Sequence, residues 1–236
     1  MHGLRTAIRG TGEVMITLGL VLLLFCVYQL VWTNVEANAA TDAAGDDLRQ
    51  AWVATSPEPA PAEPAPAAAE PAAAPAPVAP STAFAFIHVP RLAPGYVKPV
   101  VEGVTPSDLA KGVGHYPTTV LPGVVGNFAL AGHRATNGEP FRDLDKLRAG
   151  DAVVVETADT WYTYTMSRSE IVSPSQTDVL LPVPRSPGVS ATEPLITLTT
   201  CNPRWASTER LIWYGSLSDT QPKAAGLPPA LAGAGA

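Results

Sequence analysis

Cysteine is nearly absent: the 236 residues contain only Cys26 and Cys201. Cys26 lies inside a long apolar run, so a disulfide between the two would have to join a membrane segment to a soluble domain. Both thiols are therefore read as unpaired, and a disulfide-stapled scaffold is excluded. Histidine is scarce as well, and His2, His88, His115 and His133 are scattered without the spacing of zinc ligands. No metal and no cofactor are expected. The chain also lacks a basic stripe: its formal net charge is −6 with a pI near 5.2, and its lysines and arginines are dispersed. That removes the electrostatic footprint of nucleic-acid binding.

No charged residue occurs between Glu13 and Glu36, and Val14 to Thr33 reads VMITLGLVLLLFCVYQLVWT. This is the length a helix needs to cross a bilayer core. Arg5 and Arg9 precede it, whereas Glu36, Asp42, Asp46 and Asp47 follow, so the positive-inside bias places residues 1–13 in the cytoplasm and the rest outside. Tyr28 and Trp32 suit the outer interface. Ala37-Asn38-Ala39 before Ala40 offers a signal-cleavage pattern, but the apolar run exceeds the roughly 7–15 residues of a signal core, which favours an uncleaved anchor.

From Ser56 to Pro80 there is almost nothing but proline, alanine and glutamate. Such a composition forms no core, and residues 34–82 are expected to be an extracytoplasmic linker that lifts a domain from the membrane as a polyproline-like spacer. The end of the chain, 219–236, is rich in small residues and is expected to be disordered.

Residues 83–218 carry β signals: short β-branched or aromatic runs broken by Pro, Gly, Asn and Asp. About eight are visible, at 85–89, 97–101, 116–120, 128–133, 152–157, 162–173, 195–200 and 211–217. Pro106–Lys111 and Phe141–Leu147 have helical spacing instead. The expected fold is mainly β, an eight-stranded barrel with one or two short helices, since closure removes exposed edges.

Three residues in this region suit acyl-transfer chemistry. Cys201 follows the strand-like LITLTT and precedes Asn202-Pro203; a strand end holds a side chain still at a cleft, as a nucleophile requires. A catalytic thiol needs an imidazole beside it, and His133, ending NFALAGH, is better placed than His88, within a strand, or His115, in the turn GVGHYP. Arg210 opens RLIWYG. If 195–200 and 211–217 pair as a hairpin, Cys201 and Arg210 come from its facing ends, where a guanidinium could hold a developing oxyanion. Each residue also has an ordinary reading, as a small buried hydrophobe, a capping histidine and a solvated surface charge.

Together TLTTCNPRWASTERLIWYG and NFALAGHR resemble the sortase family, with its TLxTC-to-arginine block and histidine strand. HVPRL, PVVEGV, DLAKGVGHYP and GEPFRDLDKLRAGD fit in the same order, and AGHR, GHYP and TTCNPR point to class E, the actinobacterial housekeeping type. The resemblance implies a sortase barrel and gives Cys201, His133 and Arg210 the catalytic roles. It also implies cleavage of an LAxTG- or LPxTG-type sorting signal after threonine, through a thioacyl enzyme. The partners would be surface proteins bearing that signal, a peptidoglycan-precursor amine as acceptor, and membrane lipid around the N-terminal helix.

Tyr116, Thr199 and Thr200 are expected to line the peptide groove, Tyr116 filling space that would otherwise admit proline. Calcium, which some class A members hold on clustered carboxylates, is not expected, because Glu156, Asp159 and Glu170 are dispersed. A secreted cysteine peptidase that uses water and a non-enzymatic anchored barrel that binds peptide or wall are the alternatives. A pilin-polymerising member would be expected to show a lid segment or a second apolar span.

Overall fold

A computed structural model describes residues 2–55 and 78–233. Strands form where β-branched and aromatic residues alternate: β1 (Ala83–His88), β2 (Val97–Glu102), β3 (Val113–His115), β4 (Gly126–Ala131), β5 (Ala152–Glu156), β6 (Thr160–Val172), β7 (Pro194–Asn202) and β8 (Glu209–Pro222). They close into a barrel in the order β1-β2-β3-β4-β7-β8-β6-β5. The β2/β3 and β4/β7 neighbours are parallel, and the other pairs are antiparallel. Ile87, Val100, Phe128, Leu130, Val153, Tyr164, Ile196, Leu198 and Trp213 pack in the interior.

Two expected elements shift. The third strand is Val113–His115 rather than 116–120: the Tyr116 amide makes one last bond in the β3/β4 register, to Ala129 O, and the chain then turns, with the Thr119 amide bonding back to Tyr116 O. Of 141–147, only Leu144–Lys146 winds into a 3-10 turn. The other helical stretch forms α3 (Pro106–Leu109), where Thr105 and Asp108 exchange the reciprocal bonds of a capping box.

The regions outside the expected barrel differ more. The N-terminal helix α1 (His2–Val27) continues through a π-helical turn, Tyr28–Trp32, into α2 (Thr33–Thr55). Residues 34–55, expected as linker, are thus helical. Ala37, Thr41, Gly45 and Leu48 form the buried stripe of α2, small residues that let its backbone approach the barrel. Gly45 illustrates the fit: a β-carbon there would lie 3.3 Å from the Phe86 ring.

The spacer proper, 56–77, lies outside the described residues. Its flanks meet, because Ala51 of α2 lines the same surface cavity as Ser81 and Thr82 before β1. At the other end β8 runs past 218 to Pro222, pairing with β6 at Thr160–Thr163. Lys223 then donates to Glu156 Oε1 at 2.7 Å and α4 (Pro229–Ala232) follows. The part of the tail from 219 to 233 is therefore ordered, held by a strand extension and an ion pair.

Candidate active site

The β7 strand presents two faces. Ile196 and Leu198 enter the barrel core, so by alternation Thr197, Thr199 and Cys201 point outward. Segment 173–193 folds back over the lower part of this outer face. Asn127 Nδ2 donates to Val179 O at 3.2 Å, and Val172, Val179, Ile212 and Tyr214 form a second apolar cluster. Exposure accordingly rises along β7: Thr197 is 0% and Thr199 5% exposed, while Cys201 at the strand end is partly open.

Register brings the three candidate catalytic residues together. Cys201 is directly opposite Arg210 across the antiparallel β7/β8 ladder. On its other side β4 is parallel to β7, with Ala131 abreast of Thr199. The Gly132 amide bonds Thr199 O and Thr200 Oγ1 donates to Gly132 O at 2.7 Å, so the same register carries on and His133 comes abreast of Cys201 on the outer face. Gly132 has to lack a side chain, since a β-carbon would lie 2.7 Å from the Phe141 ring. Phe141 is fully buried and its amide bonds His133 O at 2.9 Å. Burial pushes the His133 imidazole below the ordinary histidine range.

Arg210 Nη1 donates to Ser207 O at 2.9 Å and to Glu209 O at 2.8 Å, which tethers the guanidinium over the β7–β8 turn. The Tyr116 hydroxyl lies 3.3 Å from Thr199 Oγ1, so these two expected groove residues are neighbours. Thr200 is different from expectation. It lies on the opposite face of β7, 3% exposed, so it steadies the histidine strand through Gly132 and does not line the groove. Strand alternation is the reason: adjacent residues cannot share a face.

The sequence reading stopped at His133 and missed its neighbour. Arg134, 7% exposed, donates from Nη1 to Asn202 Oδ1 at 2.6 Å and pairs through Nη2 with Asp145 at 3.1 Å. A second missed link joins the loops after the two candidates: Glu139 accepts from Arg204 at 3.0 Å. Burial pushes the Glu139 carboxyl up, but bonds from Thr136 and Asn34 and the charges of Arg142 and Arg204 bring it below the usual range. An arginine or glutamate in a polar loop carries no sequence signal that separates a buried clamp from a solvated charge.

A thiol, an imidazole and a guanidinium thus lie at three adjacent strand ends on one face, an arrangement suited to acyl transfer. A model of the sortase domain matches residues 87–218. The chain belongs to the sortase family.

Its relatives among sortases include members of class E. It is 40% identical over 233 residues to sortase SrtE1 of Streptomyces coelicolor, covering 95% of this chain and 61% of that protein, so the chain spans less than two thirds of that relative. The structure of sortase E from Streptomyces avermitilis superposes with a TM-score of 0.60 and 43% identity, covering 65% of this chain and 99% of that one. Sortase E1 from S. coelicolor, solved with a tripeptide in its active site, gives a TM-score of 0.60 and 42% identity over 65% of this chain and 98% of its own.

Proposed function

We propose that this sortase is a cysteine transpeptidase, anchored by α1 with its barrel outside the cell, that cuts a C-terminal sorting signal of LAxTG or LPxTG type after threonine. The observation that carries the reading is the register: Cys201 faces Arg210 across one ladder and lies beside the histidine strand across the other. The Cys201 thiolate attacks the threonine carbonyl, and negative charge passes to the carbonyl oxygen, where Arg210 can donate to it. The carbon–nitrogen bond breaks as the His133 imidazolium gives its proton to the departing amine, leaving a thioester. An incoming amine, in this reading that of a peptidoglycan precursor, attacks the thioester while His133 takes its proton, and Cys201 is released.

Tyr116, over Thr199, narrows the groove where the second residue of the motif would sit, which favours alanine over proline. The tripeptide in the active site of the S. coelicolor relative supports peptide binding at the equivalent face. For anchoring, Arg5–Val27 is long and apolar enough to cross a membrane, and Arg5 and Arg9 at its start favour a cytoplasmic N-terminus.

Mass spectrometry of LAxTG and LPxTG peptides incubated with the enzyme, with and without added amine, tests the reading. Cleavage after threonine with amine-dependent product is expected. Hydrolysis that ignores the amine would make the enzyme a peptidase, and no cleavage of either peptide would remove the assignment.

A further inference from the structure

The placement of the barrel on its anchor helix follows from contacts at the two ends of α2. At the start, Asn34 Nδ2 donates to Glu139 Oε1 at 3.1 Å and Asn34 Oδ1 accepts from the Gly138 amide at 2.9 Å. Gly138 and Glu139 belong to the loop that follows His133, so α2 begins at the catalytic end of the barrel. Further along, Gly45 rests on Phe86, and Arg49 lies 4.4 Å over the same ring. Leu48 and Ala51 reach Ser81–Ala83, where β1 starts at the opposite end. The helix therefore runs from the catalytic end toward the far end as it leaves the apolar span.

Asn34 lies seven residues beyond Val27, the end of the apolar span. At about 1.5 Å of rise per residue it sits about 10 Å beyond Val27, within or at the edge of the headgroup layer of a bilayer. Glu139, which Asn34 holds, in turn holds Arg204 of the β7–β8 loop at 3.0 Å. Next to it Trp205 is 68% exposed, its ring 4.9 Å from the Arg204 guanidinium. An amphipathic indole beside a cation is suited to the lipid–water interface. The spacer does not oppose this placement, since its flanks at Ala51 and Ser81 share one cavity and it need not separate barrel from membrane.

We propose that the docked α2 helix turns the catalytic end of the barrel toward the bilayer, with Trp205 seated among the lipid headgroups, so that the site opens onto acceptors and donors held at the membrane surface. The proposal rests on the anchoring described under Proposed function.

The test uses the full chain with Cys26→Ala and Cys201→Ala, reconstituted in phosphatidylcholine–phosphatidylglycerol vesicles. A single cysteine is introduced as Trp205→Cys or, at the far end of the barrel, as Val125→Cys, and each is labelled with an environment-sensitive dye. Lipids spin-labelled at the headgroup should quench the probe at 205 and leave that at 125 unquenched. Gly45→Leu, which drives a side chain into Phe86 and undocks α2, should abolish the quenching at 205, while in an otherwise native chain it leaves cleavage of a soluble peptide intact. Vesicle flotation separates the two readings. If the chain floats but the probe at 205 is unquenched, or the probes at 205 and 125 are quenched equally, or Gly45→Leu leaves the quenching unchanged, the orientation is wrong. If the chain does not float, the anchoring itself fails and the orientation falls with it.

Discussion

Arg134 donates to Asn202 at 2.6 Å, and these are the residues that directly follow His133 and Cys201. The bond closes the gap between the β4 and β7 strand ends where their ladder has stopped, and Asp145 holds the same guanidinium from the other side. Nη1 and Nη2 are both paired, while the buried Nε has no partner, and reaching two groups on opposite sides at once is geometry that a planar fork provides and an ammonium does not. Arg134→Lys is expected to lower the turnover of peptide cleavage by about tenfold or more with a smaller change in KM, because misplacement of reacting groups acts on the chemical step. Equal loss in Arg134→Lys and Arg134→Ala of stability alone, with turnover per folded molecule unchanged in melting and steady-state assays, would show that the clamp is merely structural.

Cys201→Ala should abolish both cleavage and transfer while shifting the melting temperature little, since the side chain is partly open and contributes little packing. Product above background in a mass-spectrometric assay would rule out Cys201 as the nucleophile.

Arg210→Lys keeps the charge but replaces a multi-donor fork with one ammonium on a flexible stem. If Arg210 binds the oxyanion, single-turnover acylation should fall by roughly 10²–10³, with melting nearly unchanged. A rate within about threefold of the native enzyme would make Arg210 a surface charge, since exposed charge swaps are usually almost neutral.

Thr200→Val retains shape and removes the hydroxyl that donates to Gly132 O. The buried carbonyl is left without that partner, and unfolding free energy should drop by about 1–3 kcal/mol. Thr199→Val, on the outer face beside Tyr116, should cost less stability and, on the proposed reading, change peptide preference instead. Denaturant melts of the two variants, beside competition between LAxTG and LPxTG peptides, distinguish the faces.

The His133 shift fixes the sign of two pH effects. If the active pair carries one proton, as thiolate with imidazolium, the doubly protonated pair is inactive and loses its first proton at a value lowered by the burial of His133. Acylation should thus rise with pH through a midpoint below about 6.5, the ordinary histidine value. For folding, the unfolded chain takes up the proton more readily, so stability linked to His133 is intact above about 6.5 and declines as pH falls toward the folded value. His133→Gln should remove that decline in melts recorded between pH 7 and pH 5.

The strands that carry the chemistry are legible because their residues declare both period and end: LITLTT before Cys201 and LIWY after Arg210 are built from β-branched or aromatic residues and leucine, with abrupt polar flanks. The third strand is not, since Val113–His115 is three residues long and gains its place from neighbours on both sides. Helix α2 was hidden for another reason. Its alanines favour a helix, but Ala37, Thr41, Gly45 and Leu48 form a buried stripe too small to register as hydrophobic, and it becomes meaningful only against Phe86. Thr200 was misplaced because a motif was read as a block, whereas a strand divides it between two faces.

The division of β7 also separates what natural variation can and cannot alter. Ile196 and Leu198 are bounded by the volume of the barrel interior, and Thr200 by its bond to the histidine strand. Thr197 and Thr199, interleaved with them, meet Asn127 and Tyr116 instead. Thr197 is also shut away, fully buried with Asn127, and Cys201 carries the proposed chemistry, so a lineage could exchange its preferred peptide at position 199 while the residues on either side stay fixed, acquiring new clients without refounding the barrel.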